Sequence, residues 1–138
     1  MCMTWEQIKN AKPCKIFHDE FSEGVRFIIL RGPTSLCAYL GVPKDHPLAD
    51  HGYDNIPIDC HGGLTFSSEG NGSPWPEGFF WYGWDYSHGG DCSFHDEKFS
   101  FGHGKKWLVK DVIEDSWGAI QDFKKLVRLA EAIRGKKK

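Results

Sequence analysis

The chain contains an aromatic run, Phe79-Phe80-Trp81-Tyr82-Gly83-Trp84-Asp85, which is most simply a strand buried in a β-sheet. Aromatic residues are enriched in strands because their rings pack well on a pleated surface. Successive side chains of a strand point to opposite faces, so we expect Trp81 and Asp85 on one face and Trp84 on the other. This segment is therefore expected to contribute to the core.

Four other segments are rich in apolar, β-branched and aromatic residues, and they cover residues 14–18, 24–30, 35–42 and 64–67. Short links between the first three predict an antiparallel meander. A short helix is predicted over residues 4–10, with Thr4 as its N-cap. A long helix is predicted over residues 111–134, where apolar residues recur at spacings of three and four, with Gly135 as its cap. The pattern predicts an α+β fold, an antiparallel sheet of about five strands with a short N-terminal helix and a long C-terminal helix.

Composition is that of a globular protein. The chain has 138 residues, of which 40% are hydrophobic, so a single domain, residues 1–138, is expected. A net charge of −2 argues against both intrinsic disorder and a strongly basic nucleic-acid binder. Five cysteines without a CxxC pair argue against a disulfide framework and a cysteine zinc knuckle. No apolar run is long enough to span a bilayer and no signal-peptide pattern is present, so we expect a cytoplasmic protein without a membrane partner.

Charge is unevenly distributed along the chain. Residues 42–104 contain ten acidic residues and two lysines, a net charge of −8, together with six of the seven histidines. Residues 124–138 contain seven basic residues and one acidic residue, a net charge of +6. The middle of the chain therefore favours cations and its end favours anions. A basic helix end is usually a solvated surface, and nucleic acid is not expected as a partner.

Two glycine-containing motifs hold the side chains best suited to chemistry. They are Asp59-Cys60-His61-Gly62-Gly63-Leu64-Thr65-Phe66 and Gly83-Trp84-Asp85-Tyr86-Ser87-His88-Gly89-Gly90-Asp91. Each motif adjoins a predicted strand, and paired glycines let a backbone turn sharply or approach a ligand closely. Histidine and aspartate are suited to proton transfer or cation binding. We interpret the two motifs as one candidate site.

The four central side chains, His61, Asp85, His88 and Asp91, have two candidate chemical roles. Two imidazoles and two carboxylates suit a divalent metal such as Zn²⁺ or Mn²⁺. Without a metal, the same four are candidate catalytic residues, because a histidine oriented by an aspartate can act as a general base. The predicted pairs are His61 with Asp85, or His88 with Asp91. The alternative is that both histidines bond to backbone carbonyls and stabilise the loops.

A ligand-binding pocket is the other hypothesis for this region. Its predicted lining residues are His61, Gly62, Gly63, Thr65, Trp81, Asp85, His88 and Asp91. In this hypothesis Trp81 stacks on a planar ligand such as a nucleobase, and Gly83 leaves room for it. The alternative is that the aromatic rings belong to the core. Cys60 is not expected to act as a nucleophile paired with His61, because adjacent strand residues point to opposite faces.

The middle of the chain resembles a family of small uncharacterised proteins of bacteriophages and prophages. The resemblance is carried by residues 37–48, by Tyr53-Asp54 and by the motifs containing HGGLTF and GWDYSHGGD, in that order. It covers roughly the middle half of the chain. The resemblance implies a small accessory protein acting in the cytoplasm of a host cell. Small phage accessory proteins often interfere with host defence, and some of them bind or cleave a nucleotide signal.

Three functional hypotheses follow. In the first, the pocket captures a small polar ligand, such as a nucleotide-derived defence signal. In the second, the histidine and aspartate side chains hold a divalent metal that activates water for hydrolysis. In the third, these side chains are structural and the protein acts by contacting a host protein.

Overall fold

The computed structural model describes residues 3–95 and 104–136. Its helices are α1 (Trp5–Lys9) and α2 (Val109–Lys136), and its strands are β1 (Ile16–Ser22), β2 (Val25–Arg31), β3 (Leu36–Pro43), β4 (Phe66–Glu69) and β5 (Phe79–Asp85). A short 3-10 helix covers Tyr53–Asn55. The predicted α+β fold, with its five-stranded antiparallel sheet, short N-terminal helix and long C-terminal helix, is confirmed.

The strands lie in the order β1-β2-β3-β5-β4, and every neighbouring pair is antiparallel. The first three form the predicted meander. The aromatic strand β5 lies between β3 and β4, with Leu40 opposite Tyr82 on one side and Phe66 opposite Gly83 on the other. The start of β4 and the end of β5 therefore meet at the same edge of the sheet.

Strand β1 is longer than predicted. Residues 19–22, which we expected to form a link, continue the strand until Ser22 lies opposite Val25. The intervening Glu23 and Gly24 both have positive φ, 53° and 79°. Positive φ at both central residues is the geometry of a two-residue hairpin turn, which lets the strands pair up to the turn.

The two faces of β5 are buried in different ways. Tyr82 and Trp84 belong to the larger core cluster, which also contains Phe123 of α2. Trp81 packs on the opposite face with Ile28 and other side chains of the sheet. The predicted alternation of Trp81 and Trp84 is therefore confirmed.

Helix α2 begins two residues before the predicted start, and Gly135 lies within it rather than capping it. Its buried residues include Val112, Ile120, Phe123 and Val127, whose spacing forms one apolar stripe. The amide of Leu108 donates to the Asp111 carboxylate at 3.1 Å, which satisfies a backbone donor beside the helix start. Among the described residues, none of the helices has the length and apolar character required to cross a membrane.

Candidate functional site

The two glycine-containing motifs lie side by side at the edge where β4 begins and β5 ends. The amide of Thr65 donates to the carbonyl of Gly83 at 2.9 Å, which joins the two segments. The imidazole rings of His61 and His88 are 5.6 Å apart between centroids. The structure therefore brings these two motifs together, as the antiparallel pairing of their strands requires.

The centre of the site is the carboxylate of Asp91, whose side chain is only 4% exposed. One oxygen, Oδ2, lies 2.6 Å from Nε2 of His61 and accepts a hydrogen bond from the amide of His88 at 3.0 Å. The other, Oδ1, accepts a hydrogen bond from the indole of Trp107 at 2.8 Å. Burial alone would raise the pKa of Asp91, but these hydrogen bonds outweigh it and hold the pKa below its ordinary value.

The Asp91 carboxylate determines which nitrogen of His61 carries the proton. An ionised carboxylate only accepts hydrogen bonds, so Nε2 of His61 is the donor in the short contact. In the neutral imidazole, the lone pair is then on Nδ1. Within the described residues Nδ1 has no hydrogen-bond partner, and the His61 side chain is 23% exposed. Nδ1 is thus the atom of this pair that can accept a proton or a hydrogen bond from a ligand.

Aromatic rings hold the imidazole of His61 in place. It stacks on Tyr86 at 4.5 Å between centroids, with 14° between the ring planes, and meets the edge of Trp107 at 5.0 Å. Tyr86 is itself fixed, because its hydroxyl donates to Asp115 at 2.8 Å and accepts from the indole of Trp84 at 3.1 Å. Burial raises the pKa of Tyr86 well above its ordinary value, so this hydroxyl remains a donor.

His88 forms the outer part of the site. Its Nε2 approaches Oδ1 of Asp85 to 3.3 Å, but the atom is buried without a well-aligned hydrogen bond. The same Asp85 oxygen accepts the amide of Ser87 at 3.1 Å. The imidazole of His88 lies directly against Gly62, where a Cβ atom would overlap the ring. The close approach and the φ of +71° both favour glycine at position 62.

The predicted histidine and aspartate pairs are wrong, because the partners are exchanged. His61 pairs with Asp91 and His88 lies beside Asp85. The turn that ends at Asp91 folds back so that the Asp91 amide bonds to the His88 carbonyl at 2.9 Å, which directs the Asp91 side chain toward His61. Which aspartate meets which histidine depends on this loop conformation, and sequence spacing does not determine it.

The four predicted metal ligands do not form a coordination sphere. Nowhere in the described part of the chain are three His, Cys, Asp or Glu side chains arranged to hold a metal ion. Both oxygens of Asp91 are occupied by hydrogen bonds from His61, His88 and Trp107. The geometry is that of two neighbouring histidine and aspartate pairs.

The other predicted lining residues are divided between the site and the core. Gly62, Gly63 and Thr65 lie beside His61 at the open edge, and a Cβ at Gly63 would meet no atom within 4 Å. Trp81 is fully buried on the other side of the sheet, and its indole donates to the Pro76 carbonyl at 3.0 Å. Trp81 therefore does not line the site.

The expected space beside Gly83 is also filled, because a Cβ there would overlap the ring of Tyr39. This face of β5 is occupied by protein side chains. A planar ligand therefore cannot use the Gly83 position as we expected.

Cys60 lies beneath the site as a protonated thiol. Burial raises its pKa to about 12, and the negative charges of Asp115 and Asp59 act in the same direction. A thiolate is the nucleophilic form of cysteine, so this thiol is poorly suited to attack a substrate near neutral pH.

Sequence reasoning missed Tyr86, Trp107 and Asp115 as parts of the site. Trp107 follows Asp91 by sixteen residues and reaches it because residues 90–92 bond to Lys105 through two backbone hydrogen bonds, 2.8 and 2.9 Å long. Tyr86 lies inside the second motif, next to Asp85, and strand alternation places it on the face of Trp84. Strand alternation could therefore have predicted the position of Tyr86. The local sequence around Trp107 and Asp115 contains no pattern that predicts their place in the site.

The chain has no match among family models, curated proteins or solved structures. What the site does is therefore inferred from its own geometry.

Replacing Gly62 with alanine should displace His88, because the new methyl group overlaps its imidazole. Gly63→Ala is the matched control, since both glycines have positive φ but only Gly62 is crowded. We expect Gly62→Ala to lower the free energy of unfolding by at least about 1 kcal/mol more than Gly63→Ala. Denaturant unfolding of both variants measures the difference, and equal losses would contradict the contact.

Asp91→Asn should remove a pH-dependent part of the stability. The pKa of Asp91 is lower in the folded state than its ordinary value of 3.8, so its contribution is present above that pH and is lost as the pH falls through the folded pKa. At pH 7 we expect Asp91→Asn to lower the free energy of unfolding by about 1–3 kcal/mol. The difference in the free energy of unfolding between the wild type and Asp91→Asn should become smaller in unfolding experiments carried down toward pH 3.

The variant Asp54→Asn controls for the loss of one carboxylate, because Asp54 lies in an exposed part of the short 3-10 helix. Two results would count against the proposed role of the buried carboxylate. The first is a difference in the free energy of unfolding between Asp91→Asn and the wild type that does not change with pH. The second is an equal decrease in the free energy of unfolding in Asp54→Asn.

Proposed function

We propose that the chain is a phage-type accessory protein whose site at His61 and Asp91 captures a small polar ligand in the host cytoplasm. Nucleotide-derived defence signals are the proposed ligand class. The observation that carries the proposal is the buried Asp91 carboxylate, which orients His61 so that Nδ1 is available as an acceptor. Hydroxyl and amino groups of a nucleotide are suitable donors to such an atom.

Charge at the site is compatible with an anionic ligand despite the acidic composition of the region. Three hydrogen-bond donors of the protein surround the Asp91 carboxylate, so its negative charge interacts mainly with these groups and less with a ligand. The ammonium group of Lys105 lies 4.0 Å from the centre of the Trp107 ring, beside these donors. Gly89 and Gly90 have open space beside them, so their backbone can approach a ligand closely. A phosphate near Lys105 and a hydroxyl near His61 would match this arrangement.

The proposed biological context rests on the sequence resemblance of the middle of the chain to small phage proteins. Capture of a defence signal needs a specific pocket but no chemical step. The protonated Cys60 thiol and the absence of a metal-ligand cluster among the described residues favour capture over nucleophilic or metal-assisted turnover. Base stacking on Trp81 is not part of the proposal, because that ring is buried.

General base catalysis is the second candidate function, and the same pair favours it. An imidazole that donates through Nε2 to a buried carboxylate can take a proton from water or from a ligand hydroxyl through Nδ1. The Asp91 carboxylate would then stabilise the resulting imidazolium. Hydrolysis of the bound ligand would be the expected outcome.

Ligand recovery distinguishes these functions. The purified chain would be incubated with mononucleotides, cyclic mononucleotides and dinucleotides, and ADP-ribose derivatives, re-purified and denatured, and the released compounds identified by mass spectrometry. We expect at least one nucleotide to be recovered intact, and His61→Ala to weaken its binding by at least about tenfold. The matched control is His18→Ala, in strand β1, which should bind normally.

Recovery of an altered nucleotide would support the general base function in place of capture. Binding that requires added Zn²⁺ or Mn²⁺ would instead support a metal-dependent site. The ligand class would be wrong if no compound of the panel bound, or if His61→Ala bound as well as the wild type.

A further inference from the structure

The turn at residues 88–91 presents two backbone amides without acceptors at the edge of the candidate site. The amides at its two ends are occupied, because the Asp91 amide donates to the His88 carbonyl at 2.9 Å and the His88 amide donates to the Asp91 carboxylate at 3.0 Å. Within the described residues, neither the Gly89 amide nor the Gly90 amide has a hydrogen-bond acceptor. Neighbouring backbone amides of this kind are donors with which loops bind anions.

The surroundings of these two amides are open. Gly89 and Gly90 are both exposed, and an added Cβ would meet no atom within 4 Å at either position. The backbone of Gly90 has φ of +91°, a conformation that glycine adopts without strain. An oxygen atom of a ligand can therefore approach the backbone of the turn closely.

Lys105 is attached to the same turn. Its amide donates to the Gly90 carbonyl at 2.8 Å and its carbonyl accepts from the Cys92 amide at 2.9 Å, so its backbone is fixed on both sides. Its ammonium group lies 4.0 Å from the centre of the Trp107 ring, where cation–π attraction holds it. The indole of the same ring donates to Asp91. No carboxylate of the described residues forms an ion pair with Lys105.

Two aspartates near the turn carry charge that would oppose an anion, and both have local partners. Asp91 accepts three hydrogen bonds from the protein. Oδ1 of Asp85 accepts the amide of Ser87 at 3.1 Å and lies 3.3 Å from Nε2 of His88. The ammonium of Lys105 has no such partner, so its charge remains available to an anionic ligand.

One small ligand can reach both Lys105 and His61. The centre of the Trp107 ring lies 5.0 Å from that of His61 and 4.0 Å from the ammonium, so the ammonium is no more than about 9 Å from the His61 ring centre. Hydrogen bonds of about 2.8 Å at each end account for part of this separation. One ribose that carries a phosphate can span the rest.

We infer that Lys105, together with the amides of Gly89 and Gly90, binds a phosphate group of the captured ligand. The inference rests on the proposed function, because it places the phosphate of a ligand whose hydroxyl group donates to His61. It narrows the ligand class to phosphate esters of nucleosides in which the phosphate and the hydroxyl belong to the same sugar. An unphosphorylated nucleoside would leave the Lys105 charge and the two amides unused.

Titration with inorganic phosphate tests the phosphate site without any nucleotide. The nitrogen-15-labelled chain would be titrated at pH 7, with sodium chloride at matched ionic strength as the reference. We expect saturable shifts of the Gly89 and Gly90 amide signals with phosphate and none with chloride. Lys105→Met, which keeps an apolar stem and removes the charge, should weaken this binding by at least about fivefold.

Two further variants separate charge from folding. Lys105→Arg keeps the positive charge and should bind phosphate nearly as well as the wild type. The matched control is Lys44→Met, because Lys44 is exposed and lies at the opposite end of β5, where its amide bonds to the Gly78 carbonyl. This control should bind phosphate normally.

Binding of nucleotides tests the same residue in the complete ligand. Every nucleotide that the chain captures should lose at least about tenfold in affinity in Lys105→Met and should keep its affinity in Lys44→Met. Adenosine and guanosine, which lack the phosphate, should bind at least about tenfold more weakly than the captured nucleotide.

Three results would overturn the inference. They are the absence of saturable phosphate shifts at Gly89 and Gly90, shifts that persist unchanged in Lys105→Met, and captured nucleotides whose affinity does not depend on Lys105. The last result would leave nucleotide capture intact. Phosphate binding that depends on Lys105, in a chain that binds no nucleotide, would instead uphold the phosphate site and contradict the proposed ligand class.

Discussion

The buried carboxylate of Asp91 is the interaction on which the candidate site depends. It joins three segments that are distant in sequence, namely the loop before β4, the turn after β5 and the residues before α2, through His61, His88 and Trp107. A buried carboxylate is costly unless it is hydrogen-bonded, and removing it would leave its donors without partners. The same bonds that satisfy Asp91 also fix the orientation and the protonated nitrogen of His61.

Strand β5 gives this interaction a rigid support. Trp84 faces α2 and donates to Tyr86, and Tyr86 donates to Asp115 of α2, so hydrogen bonds run from the sheet to the helix beneath the imidazole. The stacked ring of Tyr86 then limits the motion of His61. The outer pair, His88 and Asp85, is less tightly bonded and more exposed, so it is better placed to adjust to a ligand.

The content of β-branched and aromatic residues was sufficient to predict that the five strands exist, and periodicity was sufficient to predict the long helix and the faces of Trp81 and Trp84, because these features depend on local geometry. The exact bounds of β1 and α2 were not predicted. The two motifs were predicted to form one site from their residue types, and they meet because β4 pairs antiparallel with β5, a pairing that the sequence pattern did not specify. The exchange of histidine partners was not predictable, since it depends on the turn at residues 88–91. Trp81 belongs to the core, which was one of the two interpretations of the aromatic strand, whereas its stacking on a ligand was wrong because the ring packs among sheet side chains and its indole donates to the Pro76 carbonyl. The hydrogen bond from Trp107 to Asp91 was not predictable from the local sequence, because it depends on the tertiary fold.

The protonation state of His61 tests the central claim most directly. Long-range nitrogen-15 NMR of the imidazole rings distinguishes the two neutral tautomers, and measurement in alkaline solution avoids the doubly protonated form. In the wild type we expect the proton on Nε2, and in Asp91→Ala, which removes the acceptor, we expect a larger share of the tautomer protonated on Nδ1. A wild-type His61 with its proton on Nδ1, or a tautomer ratio unchanged by Asp91→Ala, would contradict the claim that Asp91 makes Nδ1 available to a ligand.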